Sequence, residues 1–315
     1  MTVNFNDASQ ALSFLTQQAA HIESEVYKTK YPQIQYSTLV PVDTSAGEWA
    51  NTVTYFSQDK VGKAGWFQGS ANDMARADVN MTRHDHGVSM AGIGYGYDLE
   101  EINYARRVNM NLTMDKADAA RLAAEQFIDS LTLVGDADKN MSGLINSALI
   151  TPTTAAADGA GSATTFASKT GDQIARDINN KLSLINSASY GIELADTIAL
   201  PIDQYNLLAT KRMGDDGNSI TVMEWLVKYN TYTAQTGQPL TVRTIRQLSD
   251  AGGSSSSRMV AYRRDPSVLK LHMPMTHRFL PVWQTGPMRF DVPGVMRTGG
   301  LEIRRPGAMA YLDGI

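Results

Sequence analysis

Apolar positions near the start of the chain fall at Ala8, Leu12, Leu15, Ala19, Ile22 and Val26, in alternating steps of four and three. That spacing draws one narrow stripe along a helix. Asp7 and Gln10 form a capping box at its start, and Tyr31-Pro32 ends it, because proline pushes the preceding residue out of the helical region. The period then changes. Residues 36–42 read as a strand, followed by a turn over 43–47. Two further extended stretches, 49–56 and 78–90, flank a middle rich in glycine at Gly62, Gly65 and Gly69. In the return stretch Asp78, Asn80, Thr82, His84 and His86 share one face, and Val79, Met81, Arg83, Asp85 and Gly87 share the other. Neither face is apolar enough to wall a core. The pair predicts a long two-sided polar hairpin, marginal alone in water, that projects and lies on something else.

Gly92, Gly94 and Gly96 alternate with Ile93, Tyr95 and Tyr97, predicting a strand with one bare face for close backbone approach. Asp98 and Glu101 open a short helix through Arg106 as a capping box. Thr113 caps the strongest helix of the chain, 114–133, rich in alanine and carrying Leu122, Phe127 and Leu131, with Gly135 as its stop. It spans roughly 30 Å. Residues 151–170 are threonine, alanine, glycine and serine in low complexity, and read as a loop. A second α/β region follows. Thr170 and Gln173 cap a helix with Ile174, Ile178, Leu182 and Ile185 on one face. Residues 197–200 predict a buried strand, Pro201 starts a helix near Tyr205 and Leu208, and 222–227 predict another helix. Strands at 240–245 and 259–262 enclose a flexible loop at 252–257. No internal repeat is present, and the pattern is α+β with its segments intermixed.

Composition narrows the chemistry. With no cysteine among 315 residues, disulfide scaffolds, thiolate zinc sites, iron–sulfur centres and cysteine nucleophiles are excluded. No apolar run approaches the ~20 residues that span a bilayer, and the opening lacks a signal peptide, so a cytoplasmic origin is expected. The net charge of -4 is unevenly spread: residues 1–100 carry six basic and eleven acidic side chains, residues 251–315 nine and four. This is no footprint of a dedicated nucleic-acid binder. An acidic front and an arginine-rich back are instead expected to attract one another between copies. His84-Asp85-His86 place two imidazoles on one strand face, a metal-ligand arrangement without fixed further ligands; His272, His277 or a carboxylate would have to complete it. Gly92-x-Gly94-x-Gly96 lacks the spacing of a nucleotide loop, and no nucleophile elbow is present. Asp215-Asp216 read as a solvated turn. Arg297, Arg304 and Arg305, with Asp291, Glu302 and Asp313 near them in sequence, read as internal or intersubunit ion pairs. No catalytic constellation, cofactor site or metal site emerges.

Nine short strings, in one order over most of the chain, resemble the major capsid proteins of tailed phages, in the branch related to encapsulins. They are Leu39-Val40-Pro41-Val42, Asp59-Lys60-Val61-Gly62-Lys63-Ala64, Tyr95-Gly96-Tyr97-Asp98-Leu99-Glu100-Glu101-Ile102 with Ala105-Arg106-Arg107, Ala123-Ala124-Glu125-Gln126, Gly135-Asp136-Ala137, Gly143-Leu144-Ile145-Asn146, Arg264-Asp265-Pro266-Ser267-Val268-Leu269, Arg297-Thr298-Gly299-Gly300 and Tyr311-Leu312-Asp313-Gly314-Ile315. The resemblance implies an α+β Hong Kong 97-type major capsid fold. Its parts would be an N-terminal arm (1–45), an extended β-hairpin loop (46–94), a peripheral domain with a long spine helix (95–150 and 264–315), and an axial α/β domain (151–263). It implies a structural, non-enzymatic protein that self-assembles through pentamers and hexamers into an icosahedral shell around double-stranded DNA. Further implied partners are a portal and a scaffold or decoration protein, with no membrane. The site would be the virion capsid, assembled in the host cytoplasm. Candidate intersubunit contacts are Lys63, Trp66, Phe67, Arg76, Arg297, Arg304 and Arg305. The founding member of the fold joins subunits by lysine–asparagine isopeptide bonds; Lys60 and Lys63 are suitably placed, but the last asparagine here is Asn230, so a non-covalent shell is expected.

Other readings make distinct expectations. An encapsulin-like compartment would hold a cargo enzyme, a metal-dependent enzyme would use His84 and His86, and a decoration or tail protein would form small or tubular oligomers.

Overall fold

Helical and strand periods alternate along this chain, and the structure, a computed structural model, follows them closely. It describes residues 31–66, 76–108, 112–214 and 220–315. Internal contacts divide the chain into Met1–Gln33 and Ile34–Ile315, and every element below belongs to the second unit. The amphipathic helix expected over 8–26 and the Asp215-Asp216 turn lie outside the described residues.

The second unit begins with α1 (Tyr36–Leu39) and β1 (Val42–Asp43), then β2 (Thr52–Val61), β3 (Asp78–Gly87), β4 (Ser89–Gly92) and β5 (Tyr95–Asp98). Helices α2 (Leu99–Val108) and α3 (Leu112–Leu133) follow, then the short strands β6 (Gly135–Asp136), β7 (Met141–Ser142) and β8 (Thr153–Thr154). The second α/β region comprises α4 (Gly171–Ala188), β9 (Thr197–Leu200), α5 (Ile202–Thr210), α6 (Val222–Lys228), α7 (Thr231–Thr236), β10 (Thr241–Thr244) and β11 (Arg258–Tyr262). The tail is all strand: β12 (Leu269–His272), β13 (Met275–Phe279), β14 (Trp283–Gly286), β15 (Arg289–Val292), β16 (Gly294–Thr298), β17 (Gly300–Ile303) and β18 (Met309–Asp313).

A five-stranded sheet in the order β10-β9-β11-β18-β8 organises the body. Alternation along its strands sends side chains to two cores. Ala199, Val260, Tyr262, Met309 and Tyr311 face one, with Leu39, Ala124, Ile128, Leu144, Leu271 and Leu301. Ile198, Leu200, Met259, Ala261, Ala310 and Leu312 face the other, against Ile174, Ile178, Leu182 and Ile185 of α4. Thr170 and Gln173 make the expected capping box on α4. The C-terminal strand thus crosses the boundary expected at 263/264. Residues 309–313 pair with β11 over the full length of both strands, so the chain end belongs to the sheet beneath α4 as much as to the region of α3.

Two readings need correction. Residues 36–39 form a helical turn, not the start of a strand, because Asp129 of α3 accepts hydrogen bonds from Gln35 N and Tyr36 N, both at 2.8 Å, and so caps the turn from outside the segment. The buried stripe of α3 is Ala120, Ala124, Ile128 and Leu131, while Phe127 stays exposed. Alanines let the helix approach its neighbours closely, and the bulky residue is left outside. Gly135, at φ +78°, ends α3 in the left-handed region with Met141 O in the space a Cβ would need.

Candidate functional site

Strands β2 and β3 pair antiparallel in unbroken register from Thr52↔Gly87 to Val61↔Asp78. At ~3.4 Å per residue the ribbon extends roughly 30 Å. It meets the body only at its base: in β2 only Val53 and Tyr55 are partly covered, in β3 only His86.

The base is a set of interlocked polar contacts. His86 donates from Nε2 to Gly299 O at 2.8 Å, and its ring lies 5.3 Å from that of His272. Fully buried His272 donates from Nε2 to Glu302 Oε2 at 2.8 Å. Arg304 donates to the same oxygen at 2.8 Å while its guanidinium covers the Tyr55 ring at 4.1 Å. Burial works against ionisation of Glu302, but the hydrogen bonds from His272 and Arg304 outweigh it and hold its pKa down to about 2. Burial lowers the His86 pKa, opposed by the Gly299 hydrogen bond. Asp43 pairs with Lys270 and lies 3.6 Å from His272 Nδ1; burial opposes its charge, yet the bonds from Lys270 and Ser45 keep its pKa well below the carboxylate range. On the other side of the base, Arg297 donates to Asn51 Oδ1 at 2.7 Å and covers Trp49 at 5.7 Å.

Several expected residues take part in these contacts. Arg297 is 5% exposed, so it fixes the ribbon's root inside the chain and offers no free surface. Arg304 clamps Tyr55, and Arg305 donates to Glu193 Oε1 at 2.6 Å. Arg278 pairs with Glu48 at 3.1 Å. Within the chain, Glu48 and Asp43 of the acidic front pair with Arg278 and Lys270 of the basic tail. His84 and His86 share a face as expected, but His84 stacks on Tyr55 at 4.8 Å and bonds Ser57 at 2.9 Å. Among the described residues no group of three or more histidines and carboxylates is placed to hold a metal ion.

At the far end Lys60, Lys63 and Arg76 line a shallow cradle of about 320 Å³ with Val61, Ala64 and Ala77. Trp66 beside it is fully exposed; Phe67 lies outside the described residues. Pairing also assembles something invisible in either strand alone. Phe56, Val79 and Met81, all exposed, fall on the same ribbon face as Lys60 and Arg83. Cross-strand register was the signal needed to find it.

A family model described as major capsid protein matches residues 62–315. Among solved structures, the capsid of Myoviridae phage XM1 is similar over 95% of this chain and 98% of its own, with TM-score 0.77 at 18% identity. The capsid of a native GTA particle is similar over 98% of this chain and 99% of its own, with TM-score 0.64 at 8% identity. A chain of Mycobacterium phage Ogopogo gives TM-score 0.59 at 11% identity, over 96% and 98%. Comparison with curated protein sequences returned no match.

Proposed function

The chain belongs to the major capsid protein family, and from that premise we propose that its copies pack through pentameric and hexameric capsomers into an icosahedral shell enclosing phage double-stranded DNA. Its role is structural, not enzymatic. The observation that carries the assembly reading is the ribbon: ten residue pairs exposed on both faces beyond their base, ending in a fully exposed Trp66. An isolated two-stranded ribbon is marginal in water, and exposed aromatics of this size mark contact surfaces. Laid across a neighbouring subunit, the ribbon would be stabilised and its aromatic covered. Head-to-tail contacts of this kind are heterologous and close by rotation into rings.

The shell we propose is non-covalent. Asn230, the last asparagine, is buried, accepts from Thr233 N and donates to Leu226 O as the cap of α7, so it is occupied where a cross-link acceptor would have to be free. With a net charge of -4, DNA would be contained more than gripped. A portal and a scaffold or decoration protein complete the proposed virion, assembled in the host cytoplasm. The proposed division is an arm (1–45), extended loop (46–94), peripheral domain (95–150 and 264–315) and axial domain (151–263), the last two joined through β18.

Deleting residues 63–75 tests the reading. The expected product keeps its circular dichroism and melting behaviour but no longer closes shells in negative-stain micrographs. Normal particles from the deletion would remove the ribbon from assembly.

A further inference from the structure

We infer that a groove between α1 and the edge strand β10 of the central sheet binds a phosphate group, through the guanidiniums of Arg243 and Arg264. The groove holds about 430 Å³, a volume in the range of small-ligand sites. Its walls are mostly hydroxyls and charges, so it selects by charge and hydrogen bonding. None of its residues belongs to the ribbon or to the contacts at the ribbon's base.

Strand alternation builds the site. β10 pairs parallel with β9 in the register Thr241↔Thr197 and Arg243↔Ala199. Thr197, Thr241 and Arg243 therefore share the sheet face on which Ala199 meets the first core, while Val242 turns the other way, onto the second. Because β10 is the edge strand, that face runs out of core at Arg243 and leaves its side chain exposed. Arg264, just beyond β11, stands on the opposite wall. Its backbone N donates to Asp196 Oδ1 at 2.8 Å and its Nη2 to Ser37 O at 3.0 Å. One of its side-chain N–H donors thus holds the guanidinium at the wall, and the remainder of the fork stays open.

The groove has more donors than it uses itself. Among the described residues Arg243 makes no hydrogen bond and no ion pair, and the hydroxyls of Ser37, Tyr232 and Thr241, which line the same groove, are without partners too. The carboxylate among the lining residues, Asp196, is already engaged: its Oδ1 accepts from Thr197 Oγ1 at 2.8 Å as well as from the Arg264 amide. Two guanidiniums against one carboxylate leave the groove net positive. Guanidiniums with hydroxyls are the donor set that takes phosphate oxygens, and a phosphate has oxygens enough to meet both forks at once. Ser37, Arg243 and Arg264 are exposed, so a phosphate reaches them either as a free ion or as part of a DNA backbone.

Titration of the full chain with sodium phosphate at constant ionic strength, and separately with a short DNA duplex, tests the site. Saturable binding of one phosphate per chain is expected. Arg243→Gln, which breaks no contact among the described residues, should keep the wild-type melting curve and weaken phosphate binding about tenfold. Adding Arg264→Gln should abolish it. Arg246→Gln removes the same charge from an exposed arginine outside the groove and should leave binding unchanged. Where the duplex also binds, and Arg243→Gln lowers its salt slope by about one, the phosphate is that of DNA. Where phosphate binding is lost in the variant but duplex binding is absent or indifferent to it, the ligand is the free ion. Should the double variant fail to fold, Arg243→Glu replaces it, with loss of phosphate binding expected. No saturable phosphate binding, binding that survives the double variant or Arg243→Glu, or an equal loss in Arg246→Gln would overturn the site. These outcomes are separate from shell closure, which the 63–75 deletion tests by itself.

Discussion

Neutral His86 donates its Nε2 proton to Gly299 O and sits beside His272, Glu302 and Arg304, with Tyr55 alongside. Burial lowers its pKa in the folded chain, so between that lowered value and the usual ~6.5 the undocked ribbon binds more protons than the docked one. Docking strength is then fully present above about pH 6.5 and declines as pH falls below it. Glu302 works in the same direction at lower pH: held down to about 2 by His272 and Arg304 against its burial, it contributes fully above its usual range and loses that contribution as pH falls from there to about 2. Hydrogen exchange of residues 78–87 is therefore expected to speed up between pH 7.5 and 5.5, beyond the intrinsic change in exchange rate. His86→Asn is expected to flatten that dependence. A wild-type profile as flat as the variant's would show that His86 does not govern the root of the ribbon.

Helix α4 is the element whose packing follows most directly from its pattern. Ile174, Ile178, Leu182 and Ile185 are all buried on one stripe, and Ile178→Ala is expected to cost about 2–5 kcal/mol in urea unfolding. Thr170→Ala, which removes half of the capping box, is expected to cost about 1 kcal/mol; a loss at Thr170 as large as at Ile178 would mean that the cap carries tertiary contacts as well. Such elements were legible because their stabilising contacts are local or periodic: the capping box, the four-and-three stripe of α4 and the glycine stop of α3 need only a few neighbouring residues. Residues 36–39 were not, since their cap is Asp129, 93 residues beyond Tyr36 in α3. The same holds for the candidate site. Each strand of the ribbon was readable as polar on both sides, but the Phe56–Met81–Val79 stripe exists only once register is set. Arg297 read as half of an internal or intersubunit ion pair, because nothing in its own neighbourhood reveals Asn51 and Trp49, which lie just before the ribbon.

At the scale of the whole body, one sheet separates two cores, and neither has a wall without it. Tyr311 and Tyr262 project to one side, where their hydroxyls donate to Leu144 O and Leu39 O at 2.7 and 2.9 Å; Ala310, Leu312 and Ala261 project to the other. Arg258 and Asp313 close the same strand pair with a buried bidentate ion pair, at 2.6 and 2.8 Å, whose disruption from one side leaves a charge without its partner. Because β11 and β18 serve both cores, opening either exposes the other, and regions of α3 and α4 are expected to lose protection together. Native-state hydrogen exchange across a urea series tests this: amides of α3 (112–133) and α4 (171–188) should converge on one unfolding free energy with one denaturant slope. Tyr311→Ala, which strikes only the α3 side directly, should lower both by the same amount. If α4 instead opens at lower urea than α3, or is untouched by Tyr311→Ala, the two regions are separately stable lobes, and the C-terminal strand links them without coupling their folding. For a shell subunit the coupled outcome has a physical consequence: load placed on the ribbon's root, through Arg304, Glu302 and β17, passes through the first core to the central sheet and so reaches the face under α4, giving the ribbon a rigid body to pull against.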